Sequence, residues 1–223
     1  ICKNLLNMKK ISLFLLIALT SFSVFSQNSE NKLNPWSIGL SVGNHFFMGP
    51  IDYTPLAPWY APGCAQLDGK YMFNGTWGIM LKGEYNIILH YHSKDTHIAG
   101  GTLEAIADLG NATDFSNWTK IFGLYAHGGI GGDVMWRPGI TMANNLFKNA
   151  DEMITLSIGV TPYFKVNENW TVNIDYSYRL HFKQNRYYNM DLSNDFPLGV
   201  GFMRTLSVGI SYHFGNNSAM ISY

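Results

Sequence analysis

The chain has 223 residues, a formal charge of zero, 22 glycines, 15% aromatic residues and only 13% charged ones. That balance suits many β-strands better than a helical bundle, and it offers no basic surplus for a nucleic-acid partner.

The first element is a leader. In "MKKISLFLLIALTSFSVFSQ" a basic pair, Lys9 and Lys10, precedes an apolar run over 11–19, with Val24 and Ser26 at the small-residue cleavage positions. The run is shorter than the roughly 20 apolar residues of a spanning helix. It reads as a Sec-type export signal starting at Met8 and cut before Gln27, with "ICKNLLN" upstream of the start. Removing residues 1–26 leaves 12 basic against 15 acidic residues, a formal charge of −3, and Cys64 without Cys2, so no internal disulfide is expected.

After Gln27 the apolar residues recur with period two, the mark of strands whose side chains point alternately to two faces. Strand one, 36–46, sets Trp36, Ile38, Leu40 and Val42 against Ser37, Gly39, Ser41 and Gly43. Strand two covers 64–73 and ends in the tight turn "NGT"; strand three covers 77–91; strand four, 97–109, is weaker. Strand five, 118–136, contains "GGIGG", which makes its register hard to fix, and strand six, 153–164, carries Pro162, expected at an edge or bulge. Strand seven, "WTVNIDYSYRLHF", alternates without error over 170–182, and strand eight covers 202–214.

Long connections at 47–63, 137–152 and 183–201 alternate with short ones at 74–76 and 165–169 and an intermediate one at 110–117, as in an outer-membrane barrel, with 92–96 alone shorter than that pattern wants. On the apolar parity the one charged residue is Arg204, at a strand end. The same parity sorts its aromatics by depth. Trp36, Phe73, Trp77, Trp118, Phe164, Trp170 and Phe214 lie beside the short turns, and Phe46, Tyr91, Trp136, Phe182 and Phe202 beside the long loops. Two aromatic belts around an aliphatic band mark membrane interfaces.

The opposite parity turns Asp68, Lys70, Lys82, Glu84, Glu104, Asp108, Asp133, Lys165, Asp175 and Arg179 inward. A lumen of eight strands is just wide enough for side chains to fill, so these charges are expected to pair with one another or with His90, His127 and His213 as a salt-bridged plug. The fold expected is all-β: an eight-stranded antiparallel up-and-down transmembrane β-barrel over 27–215, monomeric, with both termini in the periplasm and a periplasmic tail over 216–223.

"YMFNGTWGIMLKGEY" at 71–85, "IADLGN" at 106–111, "GLYAHGGIGG" at 123–132, "IGVTPYFKVNENWTVNIDYSY" at 158–178 and "LSVGISYHFG" at 206–215 resemble the N-terminal barrel of outer-membrane protein A (OmpA) type proteins. The resemblance spans nearly the whole mature chain, but its motifs carry fold rather than chemistry. Members of that family usually continue into a linker and a peptidoglycan-binding domain; the given residues stop before any such part, continuation past Tyr223 stays open, and peptidoglycan tethering is not claimed for these residues.

Candidate chemistry is thin. "HYHSKDTH", 90–97, places His90 and His92 on one face and Ser93 beside a histidine, yet no acid follows in order, and the plain reading is a solvated loop end. "GGIGG" lies mid-strand with no following helix or Lys-Ser pair, so it reads as close packing rather than a phosphate loop. No catalytic residue, metal or cofactor is expected. The expected role is a structural or surface barrel serving adhesion or envelope integrity. Its expected partners are outer-membrane lipid and lipopolysaccharide, the barrel assembly machinery and a surface partner reached through long loops such as "APWYAP". The alternatives are a narrow channel and a barrel enzyme modifying lipid A, which needs a His/Ser/acid cluster on the lipid-facing rim.

Overall fold

The computed structural model describes residues 35–48, 63–89, 95–113, 119, 121–139, 150–188 and 200–214. Within them the alternating stretches form eight strands: β1 (Trp36–Met48), β2 (Cys64–Met72), β3 (Trp77–Ile88), β4 (Thr96–Asp108), β5 (Phe122–Trp136), β6 (Ala150–Lys165), β7 (Trp170–Phe182) and β8 (Gly201–His213). A one-turn helix, α1 (Leu109–Ala112), follows β4; the Asp108 carboxylate caps it, accepting from the Asn111 backbone N–H at 3.1 Å. Each strand pairs antiparallel with the next and β1 pairs with β8, so the sheet closes on itself. Closure removes the unpaired edges that an open sheet leaves.

β7 has the bounds that its alternation predicts. β6 begins three residues earlier than expected, which draws Asp151 and Glu152 into the sheet. Pro162 sits neither at an edge nor at a bulge. The β6–β7 ladder skips Thr161 and Pro162, then resumes at Tyr163↔Asn173 in unchanged register, while Pro162 still faces Leu124 of β5. The missing N–H costs a local gap in one ladder and no extra residue. The expected leader over 1–26, the tail over 216–223, and the "APWYAP" loop lie outside the described residues.

The two tight turns share one chemistry. In "NGTW" the Asn74 side-chain oxygen accepts from Thr76 N at 2.8 Å and Trp77 N at 2.7 Å; in "NENW" Asn167 accepts from Asn169 N and Trp170 N, each at 2.9 Å. A side-chain oxygen thus stands in for a carbonyl and returns the chain into the next strand.

The faces are inverted relative to a water-soluble barrel. Along β7, Trp170, Ile174, Tyr178 and Phe182 are exposed, while Thr171, Asn173, Asp175, Ser177, Arg179 and His181 are buried. The same apolar-outside order holds around the sheet, with Leu81, Leu103, Ile130, Ile158 and Val208 all more than half exposed. Polar groups inside and aliphatic groups outside suit a hydrocarbon surrounding.

Candidate functional site

The inward side chains stack in three layers. Towards the long loops lies an apolar cluster of Phe47, Ile88, Ile98, Met135, Met153, Tyr188 and Met203; towards the short turns lies a smaller one of Met72, Ile106, Tyr125 and Tyr163. Between them sits an ionic network, and each of its members is held by a strand position whose neighbours on the same strand face outward.

Arg179 of β7 reaches across the lumen to an acid of β3 and an acid of β5, with Nη1 2.7 Å from Glu84 Oε1 and Nη2 3.3 Å from Asp133 Oδ1. Lys82 Nζ lies 3.1 Å from Asp175 Oδ2. His127 Nδ1 meets Glu104 Oε2 at 2.5 Å, and its Nε2 lies 3.0 Å from Asp175 Oδ2 at ion-pair distance, without hydrogen-bond alignment. His181 Nε2 makes a similar contact with Asp133 Oδ2 at 2.9 Å. The remaining carboxylate lone pairs are taken by neutral donors. Gln66 and Asn86 donate to Glu84 at 2.8 and 2.6 Å, Thr102 to Glu104 at 2.6 Å, Thr155 to Asp133 at 2.5 Å, and Thr161 at 2.9 Å and Ser177 to Asp175. Charges removed from water persist only when paired and hydrogen-bonded in this way.

Nearer the turns, Lys70 pairs with Asp68 at 2.6 Å, Tyr163 donates to Asp108 at 2.8 Å, and His213 Nε2 lies 3.2 Å from Thr171 Oγ1. Of the ten charged residues expected inside, nine are buried, and Lys165 at the end of β6 is half-buried.

Space for these side chains comes from glycines directly across the ladder. Gly39 faces Asp68, Gly100 faces Asp133, Gly159 faces His127 and Gly123 faces Tyr163. A Cβ at any of the four would collide with the side chain opposite it. Within "GGIGG", Gly129 and Gly131 instead let the backbones of β5 and β4 approach, since a Cβ there meets the Leu103 and Gly101 carbonyls.

Several interior groups escaped sequence reasoning. Tyr188 and Gln184, from the segment after β7, are buried at the loop end; Tyr188 packs tilted against Phe47 with ring centroids 4.0 Å apart and its hydroxyl lies 3.0 Å from His181 Nδ1. Asp151 accepts from the Asn185 and Arg186 backbone N–H groups at 2.8 and 2.9 Å. No periodicity marks such residues, because they lie in a loop or at a strand margin.

On the outside, Trp36, Phe73, Trp77, Phe164, Trp170 and Phe214 are exposed at the turn end. They connect through rings not counted in the expected belt: Tyr71 meets Trp36 at 4.8 Å and Phe73 at 5.6 Å, Tyr212 meets Trp170 at 5.0 Å and Phe214 at 5.2 Å, and Phe122 meets Phe164 at 5.0 Å. At the loop end, Phe182 and Phe202 are exposed, and Phe46 and Trp136 are partly so. Trp118 and Tyr91 lie outside the described residues. The early start of β6 adds Glu152 to the outward side at the loop-end margin, beside the expected Arg204.

From "HYHSKDTH", His90, His92 and Ser93 lie outside the described residues. His97 faces outward, its Nδ1 2.8 Å from the Tyr85 hydroxyl and its ring stacked on Trp136 at 5.4 Å. Among the described residues no three His, Cys, Asp or Glu side chains converge to hold a metal ion.

Residues 13–214 match the family described as the outer membrane protein beta-barrel domain. Among solved structures, the chain is similar to Neisserial surface protein A at 11% identity and a TM-score of 0.54, covering 82% of this chain and 100% of that one. It is also similar to a major outer membrane protein from Thermus thermophilus at 13% identity and a TM-score of 0.50, covering 80% and 98%. At these identities the likeness is one of fold. No curated protein gives a significant sequence match.

Proposed function

The chain belongs to the outer membrane protein beta-barrel domain family, and from that premise we propose that it is a structural and surface-display barrel whose interior is plugged by charge, with no catalytic role. The carrying observation is the ionic layer between two apolar ones, made of the chains Glu84–Arg179–Asp133 and Lys82–Asp175–His127–Glu104. An open pore needs a continuous column of water, and charged side chains of β3, β4, β5 and β7 meet across this narrow lumen instead. The barrel reaches the membrane through Sec-type export and the barrel assembly machinery, stands there as a monomer, keeps the start of β1 and the end of β8 at the periplasmic face and presents its long connections to a surface partner.

The test is planar-bilayer recording of the purified, lipid-inserted chain. The expected result is membrane insertion without steady unitary conductance. Steady ohmic steps that scale with salt concentration assign the protein to the channels instead.

A further inference from the structure

Near the loop end, the described outward face carries a polar cluster besides the His97–Tyr85 pair. Arg204 of β8 is half-buried and stands directly across the ladder from Phe46 of β1 on one side and Tyr178 of β7 on the other. Its guanidinium lies 5.8 Å from the centre of the Phe46 ring, and Tyr178, its neighbour across the ladder, bonds the Tyr176 hydroxyl at 3.0 Å. The Arg204 Nε is buried with no hydrogen-bond partner. An ionisable side chain on the lipid-facing side of a membrane strand, with a buried nitrogen that finds no partner in the protein, marks a ligand contact by default.

The same two tyrosines wall an apolar groove of about 620 Å³, floored by Ala105, Ala107, Ala126 and Gly128 and closed at its far end by Trp77. The register shows how groove and cation connect. One row of cross-strand neighbours runs Phe46, Arg204, Tyr178, Ile158, Gly128, Ala105, and the next runs Tyr176, Val160, Ala126, Ala107, Trp77. Phe46 lies near the loop end of its strand and Trp77 is the first residue of β3 at the turn end. The rows therefore descend obliquely from the loop-end belt into the membrane. From Arg204 to the groove floor on β5 is three strand spacings, roughly 14 Å, a distance an acyl chain covers.

We propose that this face binds one molecule of lipid A, with a phosphate on the Arg204 guanidinium, sugar or phosphate oxygens on the Tyr176 and Tyr178 hydroxyls, and acyl chains in the groove. Charge complementarity selects an anion, and the arginine fork suits a phosphate. The groove is lined from β3 to β7. Arg204 belongs to the loop-side half of the sheet, and in outer-membrane barrels that half faces the exterior leaflet, where the phosphorylated acyl lipid is lipid A. The proposal rests on the outward face meeting lipid, which Ile174→Lys tests separately below.

Native mass spectrometry of the full chain in detergent tests it, with diphosphorylated lipid A, enzymatically dephosphorylated lipid A and phosphatidylglycerol as probes. The expected result is one retained lipid A per barrel, with retention at least tenfold lower for the dephosphorylated lipid and for phosphatidylglycerol. Arg204→Gln and the groove-filling Ala126→Phe are expected to lower lipid A retention by a similar factor. Dephosphorylation of the ligand probes the same contact without altering the protein, so the test stands even if Arg204→Gln fails to fold. Equal retention of lipid A with and without phosphate overturns the proposal, as does equal retention of phosphatidylglycerol. A barrel dimer abolished by Ala126→Phe also overturns it, since the groove then belongs to a second copy.

Discussion

Arg179 is the interior residue with the most to lose. It is 2% exposed and reaches both Glu84 and Asp133, so truncation strands two buried carboxylates at once. Breaking a buried pair by removing one partner costs about 3–5 kcal/mol. Arg179→Met is therefore expected to lower unfolding stability by about that amount, measured by urea titration of the lipid-inserted barrel. Neutralising the stranded acids as well, with Glu84→Gln and Asp133→Asn, is expected to recover much of the loss. A single substitution without effect means that water already reaches the network. Space matters as much as charge at this scale: Gly159 lies under the His127 ring with no room for a Cβ, so Gly159→Val displaces the histidine from Glu104 and Asp175. The inward charges were legible from alternation, but the glycines opposite Asp68, Asp133 and His127 were not, because their role depends on cross-strand register and not on their own strand's pattern.

A strand in this barrel has two solvents, and β7 shows the consequence most simply. Ile174, near its middle, faces outward, while Asn173 is buried and donates to Ser211 Oγ at 2.9 Å. Ile174→Lys places a charge against the membrane interior, at a cost of about 2–4 kcal/mol, and is expected to impair assembly into lipid vesicles. Asn173→Ser loses one hydrogen bond, about 1 kcal/mol, and is expected to assemble. Normal folding of Ile174→Lys in lipid means that the outward face does not meet hydrocarbon. The turns predict a milder effect. Asn74→Ala and Asn167→Ala each remove two backbone-accepting contacts at an exposed turn and are expected to cost about 1 kcal/mol, read from the urea midpoint. Strand faces and these Asn-led turns were visible in the sequence because both follow from local spacing. The start of β6 was not: Asp151 and Glu152 break the apolar run, and only the bonds from Asn185 and Arg186 to Asp151 give that acid a place in the sheet.

Closure and layering belong to the molecule as a whole, and here the sequence was legible only in outline. Even strand number and alternating connection lengths implied the barrel, but nothing local marks the two apolar layers that bound the ionic one, since Met135, Met203 and Tyr188 resemble ordinary apolar residues until the sheet closes. Those layers predict where water can enter. Cys64 is a free thiol, 4% exposed, at the loop-end start of β2 opposite Asn86, and in a Cys2→Ser background it is a single native reporter. A water-soluble maleimide is expected to leave it unmodified in the folded barrel and to label it fully after denaturation. Tyr188→Ala removes the ring that packs against Phe47 and caps His181, opening the layer nearest the thiol, and is expected to raise the labelling rate at least tenfold. Tyr125→Ala opens the turn-end layer instead, beyond the ionic network, and is expected to leave the rate within about twofold of the parent. Equal acceleration by both variants means that the ionic layer is itself a water path, and the charge-plugged reading then fails along with the silence predicted for the planar bilayer.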